Sequence, residues 1–545
     1  MDKKKGRASN KIDGFAITAI FSVILLLLFR IPLVGIIGDN GIAYFSVANE
    51  IFLISTLFIS YGISQAVSGL VRYRMRREQF RNAQKILQGA LLLTAMIGLS
   101  GALLVFFLAG FLANTIELEA LSRMAVCVMA PALLPCMMVG VFRGYFQGIG
   151  TRIPTMHSRI LIRIILFAGG LLFAGIACQY GEKVAALLQN TDYEAAYGAM
   201  GAALGIVIAE LFGLIHMIFL YFIFRGTIKN QINRDNSKAV DGKGRVMKLL
   251  AVSMIPAGLS TLLLTIHPVV DMRLFYYYRN IREEYEATAA AWGTYYGKYM
   301  VVVGIAAGIC CMIPANHIRK IMGLWDRDEQ NAFKERLSDV IHQCAIAAVP
   351  TAIFTAVLAE NILSLFYKGN LEMAVKLVQY GSVLIVLICF GYLFISLLQQ
   401  LQRMGLVLLY GLLAGVTHLS VTILLFANTS LELEAVICGN IAFCIVLVTA
   451  GFLTVMKLMH YRQEWFRTFG ITILDAAIAG LIMMLLNKAL LGSMGALLSG
   501  IICLAVGVLI YLLALILLKG VNETEWSHMA GGRFMIVLGK MLHLM

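Results

Sequence analysis

Apolar runs of roughly twenty residues recur along this chain from one end to the other. "AITAIFSVILLLLF" (16–29) opens the series and "GIICLAVGVLIYLLALILL" (500–518) closes it. A helix of about 20 apolar residues crosses the ~30 Å hydrocarbon layer of a bilayer. In that layer each backbone N–H and C=O must be satisfied internally, so a chain of such runs folds as packed helices. Only 14% of the 545 residues are charged, against about 25% in soluble proteins, and mean hydropathy is +0.84. The expected fold class is an all-α polytopic membrane protein with about fourteen transmembrane helices. Approximate limits are 13–36, 42–70, 86–113, 122–146, 155–179, 198–224, 247–270, 291–313, 339–366, 372–398, 405–427, 434–457, 469–489 and 495–518. The first run is too long for a cleaved signal and passes into a second span without a cleavage site.

The net charge of +14 does not point to nucleic acid, because Lys and Arg collect in alternate loops. One set carries Lys3, Lys4, Lys5, Arg7 and Lys11, then Arg72, Arg74, Arg76, Arg77 and Arg81, then Arg225, Lys229 and Arg234, then Arg319, Lys320 and Arg327. The other set reads "GDNG", "NTIELEA" and "NTSLELE". Basic loops face the cytoplasm, which places both termini inside, in a multi-pass membrane protein. "RYRMRREQFRNAQK" (72–85), "HIRKIMGLWDRDEQNAFKERLSD" (317–339) and the tail from Glu525 read as amphipathic helices on the membrane surface.

The polar stretch 225–246 divides the spans into two sets of six, with a further pair at the end. That implies an N-terminal lobe (1–224), a cytoplasmic linker (225–246), a C-terminal lobe (247–458) related to the first by pseudo-two-fold symmetry, an additional helix pair (459–519) and a cytoplasmic tail (520–545). A short echo, Q-x-x-G in "YFQGIG" (145–150) and "QLQRMG" (400–405), falls after the fourth and tenth spans.

Charges at bilayer depth cost about 3 kcal/mol on insertion scales, so they face a protein interior or a wet cavity. Arg30 lies ~10 Å below one end of span one at 1.5 Å per residue, and Glu50 lies at similar depth on span two. They form a buried ion pair, or Arg30 snorkels to the interface, or it lines a cavity and is oriented by the carboxylate. Arg159 and Arg163 share a face of span five at i, i+4, and Arg143 ends span four. Together these three are either helix-end anchors or an anion site, since guanidinium pairs with phosphate in two hydrogen bonds. Glu210 sits mid-span in span six, either as a partner to those arginines or as an ion carrier. His267 and Asp271 are four apart near the end of span seven, Lys298 lies in span eight and Glu360 near the end of span nine. Pro131 and Pro135 are expected to break span four, and Pro256 and Pro268 span seven.

The ten cysteines lie in apolar runs without a CxxC pair and read as small hydrophobes. No phosphate-binding G-x-x-x-x-G-K-[ST], no H-E-x-x-H and no G-x-S-x-G occurs, so no cofactor, metal or catalytic residue is assigned.

"RIPLVGIIGDNGIAYF" (30–45) and "RGYFQGIGTRIPTMHSR" (143–159) carry a family resemblance. The chain resembles the polysaccharide and lipid-linked sugar exporters of the multidrug/oligosaccharidyl-lipid/polysaccharide (MOP) superfamily. Within it, it is similar to the stage V sporulation protein B-like group, relatives of the MurJ lipid II flippases. The resemblance implies fourteen helices, two six-helix lobes in a V and a central cationic cavity. It implies an undecaprenyl-pyrophosphate saccharide, such as lipid II, as substrate, moved by alternating access on an ion gradient (H+ or Na+) or the membrane potential. Arg30 matches the family's first-helix arginine and Arg143 that of its R-G-x-x-Q-G loop. The chain departs from the family at "SRILIR" (158–163), where S-Q-x-x-E-Q is usual, and at Glu50, where an apolar or aromatic residue is usual; Lys298 stands nearest to the family's helix-eight cation. Substrate binding is accordingly expected at Arg30, Arg143, Arg159, Arg163 and Lys298, and ion coupling or counter-charge at Glu50, Glu210 and Asp271. Two other readings stand beside the flippase: a multidrug or cation exporter of the same superfamily, and an integral-membrane glycosyltransferase or polymerase.

Overall fold

The computed structural model describes residues 13–116, 120–235, 241–282, 287–518 and 520–521, and among these all regular structure is helical. Among the described residues twelve helical stretches are long and apolar enough to cross a membrane. Two of them are too long for one crossing. The stretch Gly14–Met75 has 62 residues and Phe466–Leu517 has 52, about 90 and 80 Å as straight helix. Each is interrupted at a glycine, Gly38 (φ 69°, ψ 178°) and Gly495 (φ 75°, ψ 165°). Both lie in the left-handed half of conformational space that only glycine enters without strain. A contact shows what the break at Gly38 does. A straight helix would hold Arg30 and Glu50 about 30 Å apart, yet both reach the same hydroxyl, that of Tyr296. The chain reverses at Gly38.

Packing divides the chain into two compact units. One comprises residues 22–301 and 404–443. It holds most of α1 (Gly14–Ser55), a π-helical turn (Thr56–Tyr61), α2 (Gly62–Met75), α3 (Phe80–Phe107), α4 (Ala109–Ile116), α5 (Arg123–Met129) and α6 (Leu133–Gly148). It continues with α7 (Ile153–Leu188), α8 (Asp192–Asn233), α9 (Lys243–Thr265), α10 (His267–Ile281), α11 (Thr288–Thr294) and a second π-helical turn (Tyr295–Tyr299). Its largest fully buried side chains include Trp292, Tyr296, Phe29, Phe45 and Phe275. Along α8, Phe212, Ile215, Phe219 and Phe222 point outward at helical spacing while Ala202, Ile206, Ala209 and Gly213 are buried. That inside-out apolar pattern is what lipid requires of a helix surface.

The other unit comprises residues 13–21, 302–403 and 444–521. It is built on α12 (Met300–Trp325), α13 (Gln330–Val357), α14 (Ala359–Phe366), α15 (Glu372–Gly381), α16 (Val383–Gln400) and α19 (Thr472–Leu517). Its core gathers Val349, Phe354, Leu358, Ala476, Met483, Cys503 and Leu515. Two further helices, α17 (Met404–Asn428) and α18 (Leu433–Met459), complete the chain; α17 and the start of α18 pack in the first unit, the rest of α18 in the second.

Several expectations are corrected. Residues 72–85 and 317–339 are not separate surface helices. Each is the end of one long helix, a tight reversal and the start of the next: α2 to α3, and α12 to α13. The reversals match. Gln79 N–H donates to Arg74 O at 3.0 Å and Glu329 N–H to Leu324 O at 3.1 Å, with Glu78 (φ 56°) and Asp328 (φ 58°) left-handed before them. The same closure recurs after the fourth and tenth spans, Thr151 N–H to Phe146 O and Arg403 N–H to Leu398 O, both 3.0 Å. These are the Q-x-x-G sites. Pro131 sits in a 3₁₀ turn that interrupts span four, with Pro135 in the first turn of α6 just after it, and Pro268 opens α10 after a break at Ile266, but α9 runs through Pro256. The tail expected on the membrane surface lies outside the described residues.

Candidate functional site

The reversal at Gly38 delivers Arg30 and Glu50 to one place, and Tyr296 occupies the space between them. Arg30 Nη2 donates to the Tyr296 hydroxyl at 2.7 Å and Nη1 to its carbonyl at 3.3 Å, with the guanidinium 3.8 Å from the ring centroid. Asn49 Nδ2 donates to the same hydroxyl at 2.7 Å, and the hydroxyl donates to Glu50 Oε1 at 2.6 Å. Arg30 is 3% exposed and Glu50 5%. The two ions are therefore linked through a phenol, and in this conformation Arg30 is packed against protein instead of lining open water.

Lys298, on the same π-helical turn, is buried and paired with Asp39 Oδ2 at 2.7 Å. Gly293 allows the approach: a Cβ there would overlap the Asp39 carbonyl oxygen. The segment 288–299 thus closes directly over the reversal in α1.

A second group lies on α6, α7 and α8. Arg143 Nε donates to Ser158 Oγ at 2.9 Å. Arg143 and Arg163 both interact electrostatically with Glu210, which is buried and leaves Oε2 without a hydrogen bond. Arg143, Arg159 and Arg163 are each half-buried. Of the three arginines expected together, Arg143 and Arg163 lie within electrostatic reach of Glu210, mid-span in the sequence, and Arg159 within reach of Tyr61.

Asp271 anchors a third group. It is 1% exposed. His418 Nε2 lies 2.8 Å from Oδ1, His267 Nδ1 lies 3.7 Å from Oδ2, and Asn440 Nδ2 donates to Oδ2 at 3.2 Å. Asn440 also reaches the Tyr295 hydroxyl at 3.2 Å. Gly439 lets α18 come this close to α17, since a Cβ there would overlap Thr422 Oγ1. Glu360 is exposed in the first turn of α14.

Tyr296, Asn49, Asp39, His418 and Asn440 were not singled out from the sequence. His418 and Asn440 carried the signal used for the arginines, a polar residue inside an apolar run ("AGVTHLSV", "ICGNIAF"). Tyr296 and Asn49 carried none.

The unit formed by 13–21, 302–403 and 444–521 bears an open apolar groove of about 620 Å³, lined by Ile313, Ile346, Pro350, Phe354, Leu365 and Leu504 among others, with Asn361 at its polar edge.

The profile of the family "Polysaccharide biosynthesis protein" matches residues 14–315, more than half of the chain. The chain belongs to that family. Its long apolar helical stretches are those of a multi-pass integral membrane protein. Stage V sporulation protein B of Bacillus subtilis (strain 168) is 22% identical over 348 residues, an alignment spanning 63% of this chain and 63% of that relative. The fold is that of the solved lipid II flippase MurJ in an inward closed conformation (TM-score 0.63, 14% identity, 92% of this chain and 97% of that one). It is also that of an inward-facing multidrug resistance MATE transporter of the MOP superfamily (TM-score 0.61, 15% identity, 81% and 96%).

Proposed function

We propose that the protein flips an anionic, pyrophosphate-linked lipid saccharide across the bacterial cytoplasmic membrane by alternating access. In this reading the helical stretches make fourteen crossings in two six-helix lobes plus a final pair, and both termini are cytoplasmic. The observation that carries it is the charge imbalance at Arg143, Arg163 and Glu210: two half-buried guanidiniums on neighbouring helices lie within electrostatic reach of one buried carboxylate. A buried cation without its own counter-ion is costly, and a diphosphate would supply the missing negative charge through paired hydrogen bonds. Arg159 lies one helical turn before Arg163 and extends the same face. Arg30 and Lys298 serve in this reading on the opposite side of the membrane, held by Tyr296, Glu50 and Asp39 until the head group arrives. With an inside-negative potential, outward transfer of two negative charges gains about 4–5 kcal/mol per 100 mV.

The test is a leaflet-access assay in proteoliposomes with a defined undecaprenyl-pyrophosphate saccharide and an imposed voltage. Voltage-dependent flipping by the native chain, lost in Arg163→Ala, is expected. Equal flipping in Arg163→Ala, or none by correctly inserted native protein, overturns the reading.

A further inference from the structure

We infer that Asp271, His267 and His418 form a proton-binding site, and that the ion taken up here is H+ and not a metal cation. The geometry is that of a carboxylate shared by two imidazoles from different helices. Oδ1 faces His418 Nε2 at 2.8 Å, and Oδ2 faces His267 Nδ1 at 3.7 Å and the Asn440 amide at 3.2 Å. Hard cations such as Na+ prefer a shell of oxygen ligands. Here the groups nearest the carboxylate are ring nitrogens and an amide donor, and Asn440 turns its Nδ2 inward while its Oδ1 has no hydrogen bond. No set of three or more His, Cys, Asp or Glu side chains with metal-holding geometry exists among the described residues.

Charge accounting favours one bound proton. Asp271 as carboxylate with a single imidazolium is neutral overall. Losing that proton leaves one negative charge in a site where Asp271 and His418 are each 1% exposed, and gaining a second leaves one positive charge. Burial opposes both charged states, so exchange of the proton is tied to a change in how the site meets water. The other titratable groups facing it are Tyr295, bonded to Asn440, Tyr299, whose ring stands 5.0 Å from that of Tyr295, and Glu50, which acts electrostatically on His267. Glu50 also joins this site to Arg30 through Tyr296. A cavity of about 200 Å³ lies beside the cluster, and His267 and His418 are the polar side chains in its otherwise apolar wall. A proton arriving there meets an imidazole before it meets Asp271. Use of this site to drive transport rests on the flippase reading; proton binding itself does not.

Trp292 supplies the probe, because its ring lies 5.0 Å from that of Tyr295. Full-length protein carrying Trp325→Phe, Trp465→Phe and Trp526→Phe retains Trp292 alone. Its fluorescence in detergent, titrated from pH 5 to 8 without saccharide, is expected to show one transition. Asp271→Asn should abolish the transition. His418→Gln and His267→Gln should each move its midpoint by about half a pH unit or more. Replacing choline chloride with sodium chloride at fixed pH should change nothing. A sodium-induced signal at constant pH overturns the inference, as does an unaltered titration in Asp271→Asn. If Asp271→Asn fails to give a monodisperse peak, the two histidine variants decide: unmoved midpoints in both refute the site. A normal titration without saccharide flipping in vesicles would count against the flippase reading alone. Flipping with no titration would count against the proton site alone.

Discussion

The Tyr296 hydroxyl is the most heavily used polar atom described here, and Tyr296→Phe removes it while keeping the ring. Three hydrogen bonds go: from Arg30 at 2.7 Å, from Asn49 at 2.7 Å and to Glu50 at 2.6 Å. Two involve an ion, worth about 1.5–3 kcal/mol each, and one is neutral, worth about 0.5–1.5. Part is recovered. Phenylalanine keeps the face on which the guanidinium stacks at 3.8 Å, a contact worth about 0.5–2 kcal/mol, and the bond from Arg30 to the residue 296 carbonyl survives. At the average of ~0.6 kcal/mol per hydrogen bond inside membrane proteins the three sum to about 2. The expected loss is therefore about 2–4 kcal/mol. Unfolding in mixed micelles by increasing SDS, followed by circular dichroism, measures it. A double-mutant cycle with Glu50→Gln should return a coupling above about 1 kcal/mol, because both changes remove the same bond. A Tyr296→Phe loss below about 0.5 kcal/mol, or additive effects in the cycle, refutes the view that this hydroxyl holds the two ions together.

Other outcomes follow from the same geometry. Arg30→Ala should lower stability as well as flipping, because it strands Glu50, whereas Arg163→Ala should cut flipping tenfold or more with little change in the SDS midpoint. Gly38→Ala places a side chain at φ 69° and should cost about 1–2 kcal/mol, read from the same unfolding curve. Lys298→Met alone should destabilise more than Lys298→Met combined with Asp39→Asn, since the single change leaves a carboxylate facing apolar surroundings; a double variant worse than the single would contradict the pairing. Gly293→Leu should prevent 288–299 from seating on Asp39 and leave Lys298 open to amine-reactive reagents that spare the native chain.

Much of the fold was legible because hydrocarbon imposes one rule on every span. Apolar length gave the helices, and the depth of Arg30 and Glu50 on successive spans placed them as neighbours. The reversals at Glu78 and Asp328 were not legible. Their left-handed residues are acidic and not glycine, and the charged flanks imitate an amphipathic surface helix. The site was half legible for a related reason. Charge in an apolar run marks a residue as buried or functional, so Arg143, Arg163, Glu210 and Asp271 stood out. Their partners are set by tertiary contact: Tyr296 meets Arg30 from 266 positions away, and its aromatic neighbours Tyr295 and Tyr299 make it inconspicuous. The link through a phenol, where either a direct ion pair or an open cavity was expected, is likewise a product of packing.

The single-glycine joint at Gly38 gives this corner of the protein no slack. A flexible connector would let the arms carrying Arg30 and Glu50 tilt separately and would absorb torque. A one-residue hinge transmits it, so the pair behaves as a stiff fork whose prongs rise and fall together. Motion that frees Arg30 must carry Glu50 with it, and any ligand that props one arm open sets the position of the other.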